Sequence, residues 1–139
     1  IQLKKEINFG LNQFSKYIKF RENVKRSREK LMDIFSKLKN KNKTIIGYGA
    51  TAKVNTVLNY CKIKDETLDY FLDTTPGKIN KYMPGSHLFV QKYRKALTNE
   101  ADYIFLGAWN FKEEIFKKER KYIKKGGKFI VHVPFPRII

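Results

Sequence analysis

Residues 44–60 read TIIGYGATAKVNTVLNY and set an apolar strand, a glycine-rich turn and an amphipathic helix next to one another, in that order. This order opens a nucleotide-binding α/β domain. Gly47 and Gly49 let the backbone turn sharply and approach a ligand with no Cβ in the way, and Ala52 takes the place of the third small residue, giving G-x-G-x-x-A. The pattern alone fits either a phosphate-facing turn or a tight strand-to-helix connection with nothing bound. Lys53 favours the first. A cation in the first helical turn opposes the helix dipole by about 0.3–1 kcal/mol, so it is better placed there if an anion sits at the same terminus.

Working outward, Tyr17, Phe20, Val24, Leu31, Ile34, Phe35 and Leu38 recur at spacings of three and four, which predicts one long N-terminal helix over residues 11–38 with a single apolar stripe. The stripe packs on its own domain or on an adjacent one. Downstream, strands are predicted at residues 43–48, 68–72, 87–90, 103–108 and 128–133, with helices at 51–60, 92–97 and 111–123. Strands alternating with helices predict an α/β fold: a Rossmann-like, five-stranded, mainly parallel sheet flanked by helices. With right-handed crossovers its order is 3-2-1-4-5. Residues 1–42 then form the long helix and residues 43–139 the sheet domain. The turn after strand one and the turn after strand four meet where the winding reverses, and ligands of open α/β sheets bind in that crevice.

The composition narrows the class. A chain of 139 residues with 42% hydrophobic content supports one core. The longest apolar runs, such as YIFLGAW at residues 103–109, are strand-length and far short of the roughly 20 residues of a spanning helix. Cys61 is the only cysteine, which excludes an internal disulfide or a multi-cysteine zinc site and suits a reducing cytoplasm. The net charge of +17 invites a nucleic-acid reading. Lysines occur in every segment, however, so the expectation is a solvated basic surface with a general attraction for anionic small molecules and no specific nucleic acid or membrane partner.

Candidate contacts follow the predicted crevice. Asp73 ends strand two at the separation where dinucleotide-binding domains place a ribose-binding acid; the alternative is a cap on the Thr74-Thr75-Pro76 turn. Lys78, Lys81, Tyr82 and His87 stand in a proline- and glycine-bounded loop able to fold over a phosphate or sugar. His87 alternatively just opens a strand. Trp109 offers a face to a base or sugar, or packs under its loop, and Asn110 offers an amide or caps the next helix. His132 reads as a structural histidine with its hydrogen bonds met. No serine elbow, metal-ligand cluster, Walker lysine or acid-x-G-x-G pattern occurs, so the chain reads as a binder with no catalytic or metal residues of its own.

GYGATAK at 47–53, LDYFLDTTPGKINKYMPGSH at 68–87, AWNF at 108–111 and GGKFIVHVPFPRI at 126–138 together resemble the C-terminal domain of the sugar-type C-methyltransferases, which methylate deoxysugar nucleotides with S-adenosylmethionine. The resemblance implies a three-part enzyme, with a zinc-binding N-terminal domain and a central domain that holds S-adenosylmethionine and the catalytic residues. Neither is in this sequence, so those parts are expected in cis or in trans and the chain is expected to bind no cofactor itself. The resemblance implies substrate contacts at Gly47, Tyr48, Gly49, Ala50, Thr51, Ala52, Lys53, Asp73, Lys78, Tyr82, His87, Trp109 and Asn110. Two departures from the family pattern, Val54 after the lysine and Thr74 after the strand, put the ligand in doubt and leave the fold intact. A second expectation from the residues alone is a free-standing NAD- or nucleotide-binding Rossmann domain of a dehydrogenase or sensor.

Overall fold

A computed structural model describes all residues, Ile1–Ile139. Seven strands form one mixed sheet: β1 (Ile45–Tyr48), β2 (Phe71–Asp73), β3 (Lys81–Tyr82), β4 (Phe89–Lys92), β5 (Tyr103–Leu106), β6 (Lys128–Val131) and β7 (Arg137–Ile138), in the order β3-β4-β2-β1-β5-β6-β7. The expected five-stranded sheet is corrected to seven. The inner strands β4, β2, β1, β5 and β6 pair in parallel, and β3 and β7 close the two edges antiparallel. Both edge strands are two residues long, too short to carry a periodicity that a sequence reading can detect.

Alternation along β1 sorts the two faces. Ile45 joins Phe71, Phe105 and Ile130 in a core beneath α2 (Phe14–Lys39) and α3 (Ala52–Cys61). Ile46 and Tyr48 point the other way, into a core with Ile104, Leu106 and Phe129 beneath α5 (Lys112–Lys118) and α6 (Arg120–Lys124). Strands β1, β2 and β5 are buried on both faces, as parallel strands between helical layers must be.

The helices differ from expectation for local reasons. The predicted single N-terminal helix is two: α1 (Gln2–Phe9) ends at Gly10, which has a left-handed φ of 83°, and α2 begins at Phe14. Only the C-terminal half of the apolar stripe, Leu31, Ile34, Phe35 and Leu38, enters the core; Tyr17 and Phe20 are exposed. The weak helix is displaced to α4 (Lys95–Glu100), because β4 runs on to Lys92. The helix predicted at 111–123 is broken into α5 and α6 at Glu119, whose carboxylate turns inward and is fully buried. No helix is long and apolar enough to cross a membrane.

Candidate functional site

Since α3 follows β1 on one face and α5 follows β5 on the other, the carboxyl ends of these neighbouring strands open onto a crevice. A cleft of about 340 Å³ lies there, between the Gly49–Thr51 turn, the loop after β2 and the start of α5. Asp73, Thr75 and Lys78 form one wall, Phe111, Ile115 and Lys118 the other, and Tyr48 and Tyr93 lie beneath. A second hollow of about 340 Å³ opens on the α3 side, with Ala50, Ala52, Asn55, Lys81 and Tyr82. Thr51 and Lys78 border both and form the ridge between them.

Asp73 holds that ridge together. Its Oδ2 accepts the Ala50 N–H at 2.8 Å and Lys78 Nζ at 3.4 Å, and its Oδ1 accepts the Thr75 N–H at 2.8 Å. Burial works to raise the Asp73 pKa, but the Thr75 groups, Lys78 and the Ala50 N–H together overcome it and hold the carboxyl below its ordinary range. Both oxygens are thus engaged inside the protein, in the turn-capping role that was the alternative for this residue. A carboxylate offers about four acceptor sites, so a ribose hydroxyl in the cleft would share Asp73 with the turn that it caps.

Thr51 fixes the turn from the other side. Its Oγ1 accepts the Val54 N–H at 3.2 Å, capping α3, and donates to the Gly107 carbonyl at 3.2 Å. Gly49 has φ 84°, and a side chain there would run into Ala108. Gly47 differs from expectation: it lies inside β1, where a Cβ would meet the Phe71 ring, so its small size serves packing against the neighbouring strand.

Beneath the cleft lies a polar network. Glu119 Oε1 accepts the hydroxyls of Tyr93 at 2.6 Å and Tyr48 at 3.2 Å, while Oε2 accepts Thr98 Oγ1 at 3.2 Å. Burial first, and then the Glu119 carboxylate, push both phenols well above their ordinary pKa. The two tyrosines are therefore neutral donors over the whole working pH range. Lys118 Nζ stands over the Tyr93 ring, 3.5 Å from its centroid.

The expected contacts are not all brought together. Tyr48, Gly49, Thr51, Asp73 and Lys78 line the cleft, and Ala50, Ala52 and Tyr82 line the second hollow. Lys53, Trp109 and Asn110 cluster with one another and line neither hollow, with Lys53 Nζ 3.5 Å from Asn110 Oδ1 and 5.2 Å from the Trp109 ring centroid. His87 lies apart, exposed in the turn before β4 with φ 56°, and opens no strand. Asn110 caps no helix; it sits within a tight turn, Trp109–Phe111, ahead of α5. His132 is buried as expected, yet its Nδ1 has no hydrogen-bond partner. No group of three or more His, Cys, Asp or Glu side chains is placed to hold a metal ion.

Residues 2–134 match the family model of the C-methyltransferase C-terminal domain. The chain belongs to this family. C-methyltransferase NovU of Streptomyces niveus is 31% identical over 137 residues, an alignment that takes in 99% of this chain and 33% of NovU. The chain thus spans about a third of that relative's length. Within this C-methyltransferase C-terminal domain, the sequence reading missed Tyr93, Phe111 and Lys118, all of which line the cleft. Tyr93 arrives because β4 pairs with β2, and Lys118 because α5 lies along the sheet on the Tyr48 side. Their only signal in sequence is position, Tyr93 one residue past a strand and Lys118 one turn after the buried Ile115.

Proposed function

We propose that this chain is the substrate-binding and interaction domain of an S-adenosylmethionine-dependent C-methyltransferase that acts on a nucleotide-linked sugar or a related anionic small molecule. The observation that carries this reading is the lining of the crevice cleft. Lys78 and Lys118 supply ammonium groups beside the carboxylates of Asp73 and Glu114, Thr75 supplies a hydroxyl, and Tyr93 and Phe111 supply aromatic surface. Lysine ammonium groups attract phosphate as point charges, and aromatic rings cover the apolar face of a base or sugar. Family membership supports the methyl-transfer context. The chain's own residues would bind and orient the substrate, and no residue here is assigned to the chemistry. S-adenosylmethionine and the catalytic groups would belong to other parts of the enzyme, joined in cis or in trans. A reducing cytoplasm suits the free, buried Cys61.

Calorimetric titration of the chain with thymidine diphosphate glucose, uridine diphosphate glucose and NAD tests the reading. The expected outcome is binding of a sugar nucleotide, weakened about tenfold or more, roughly 1.4 kcal/mol, in Lys78→Ala and in Lys118→Ala. Binding of NAD without the sugar nucleotides would refute it. So would methyl transfer catalysed by the isolated chain.

A further inference from the structure

A third hollow lies away from the expected contacts. Between α2 and α3 runs an apolar trough of about 390 Å³, toward the small end of the roughly 300–1,000 Å³ of ligand pockets, and it shares no lining residue with the cleft or the second hollow. Its walls follow from helical spacing. Phe20, Val24, Arg28 and Leu31 recur every three or four residues along α2, and Thr56, Val57, Tyr60 and Cys61 form the matching face of α3. Depth is graded across it: Leu31 and Cys61 are 2% exposed and His132 is 8% exposed, whereas Phe20 and Tyr60 are 67% and 52% exposed. The floor is therefore closed, and the rim holds two aromatic side chains in water.

Charge in this trough is one-sided. Arg28 is the single charged side chain in the lining; it is half-buried and takes part in no ion pair. One helical turn away on α2 stand Val24, Lys25, Leu31 and Met32, none of them acidic, and the α3 wall offers no carboxylate either. Burial outweighs the neighbouring Arg28 and pushes the Cys61 thiol up, so no thiolate stands in as its partner. A partly desolvated guanidinium with no anion opposite costs free energy until one arrives. The cleft is different, since Asp73 and Glu114 stand beside its lysines. His132 adds a further polar point to the floor. Its Nδ1 has no hydrogen-bond partner, burial holds the imidazole below its ordinary pKa, and the Phe105 ring backs it at 5.4 Å between centroids.

We propose that the α2–α3 trough is a binding site for a small amphipathic carboxylate, which sets its carboxylate on the Arg28 guanidinium and its aromatic or short alkyl body between Phe20, Val24 and Val57, over the His132 ring. Charge complementarity chooses the acid: a guanidinium fork takes a carboxylate through two parallel N–H···O bonds, and the lining holds no acid to compete for it. The walls choose the apolar body. A sugar or nucleotide, with many polar groups to satisfy, would meet only the hydroxyls of Ser27, Thr56 and Tyr60 there. The site is independent of the substrate assigned to the cleft.

Calorimetric titration with hydrocinnamate and with its uncharged counterpart, hydrocinnamyl alcohol, tests the site, both in Ile1–Ile139 and in the complete product of the reading frame that encodes it. The expected result is saturable one-to-one binding of the acid to both proteins, at least about tenfold tighter than the alcohol. Arg28→Gln should bring the acid down to the affinity of the alcohol. Arg26→Gln, at an exposed position outside the lining, should leave the affinity unchanged, which separates a site from the general attraction of a basic surface. Thr56→Trp, at an exposed position on the α3 wall, should fill the trough and abolish binding of both compounds while leaving the urea midpoint unchanged. The chain has two histidines, so proton magnetic resonance locates the ligand: the His132 ring signals should move with saturation and those of His87, outside the lining, should not. Absence of saturable binding, equal affinity for acid and alcohol, or a preference for the acid that survives Arg28→Gln would overturn the proposal. Binding to Ile1–Ile139 that is missing from the complete product would assign the trough to a contact between domains and would also overturn it.

Discussion

Replacing Asp73 by alanine separates a strut from a ligand group. The substitution removes the acceptor for two backbone N–H groups and for Lys78. Ala50 is buried, so its N–H loses a charge-assisted bond with no water to replace it, at about 1.5–3 kcal/mol. Thr75 is exposed and its N–H is resolvated, so that bond is worth about 0.5–1.5 kcal/mol. The Lys78 pair, with the lysine side chain 41% exposed, adds roughly 0–1 kcal/mol. The loss comes to about 3 kcal/mol, within a range of about 2–5, and corresponds to a fall in Tm of roughly 10 °C for a chain of this size. Urea denaturation followed by circular dichroism measures it. Asp73→Asn, which keeps one acceptor oxygen and loses the charge, should fall between the wild type and Asp73→Ala. The pH dependence gives an independent check. A carboxyl held below its ordinary value contributes stability that is complete above about pH 4 and disappears as the pH falls through the lower folded value, so Asp73→Ala should flatten the acid limb. If Asp73→Ala leaves stability within about 0.5 kcal/mol and instead abolishes NAD binding, the strut argument is refuted and Asp73 is a ribose acid.

Other perturbations have equally definite outcomes. Gly49→Ala places a Cβ at positive φ and against Ala108, and should cost more than the roughly 1 kcal/mol of an ordinary left-handed penalty, seen as a lowered urea midpoint. Glu119→Leu leaves the buried Tyr48 hydroxyl without its carboxylate acceptor, while Thr98 keeps the Lys95 carbonyl at 2.8 Å, and should destabilise by about 1–3 kcal/mol; adding Tyr48→Phe should recover part of that loss, and strict additivity in chemical denaturation would contradict the network. Asp102 accepts the Thr44 N–H at 2.9 Å and Lys43 Nζ at 3.0 Å, which hold its carboxyl below the ordinary range. The stability it brings is present above about pH 4 and lost below, so Asp102→Asn should narrow the stability gap between pH 7 and pH 3 in urea titrations.

The glycine turn, the alternation of strands and helices and the place of the crevice were legible in residues 44–60 and their neighbours, because strand and helix periods are local properties of the chain. Motif resemblance also led to the family. The two edge strands were not legible, since each is only two residues long. Nor was the break at Glu119, which lies in a continuous helical pattern and is explained only by three hydroxyls that converge on it from β1, from the end of β4 and from α4.

Sequence by itself determined the five inner strands and the helix after the glycine turn, and the tertiary structure decided what the same residues do. Gly47 and Asp73 looked like ligand contacts because their spacing matches a dinucleotide fingerprint. The fold turns Gly47 under Phe71 and engages both oxygens of Asp73 within the ridge. Tyr93 and Lys118, 25 residues apart in the chain, become touching neighbours in the lining of one cleft. The physical reason is that a side chain's identity fixes what it can bond, whereas its distance from a ligand depends on strand order and helix placement, which no local pattern contains.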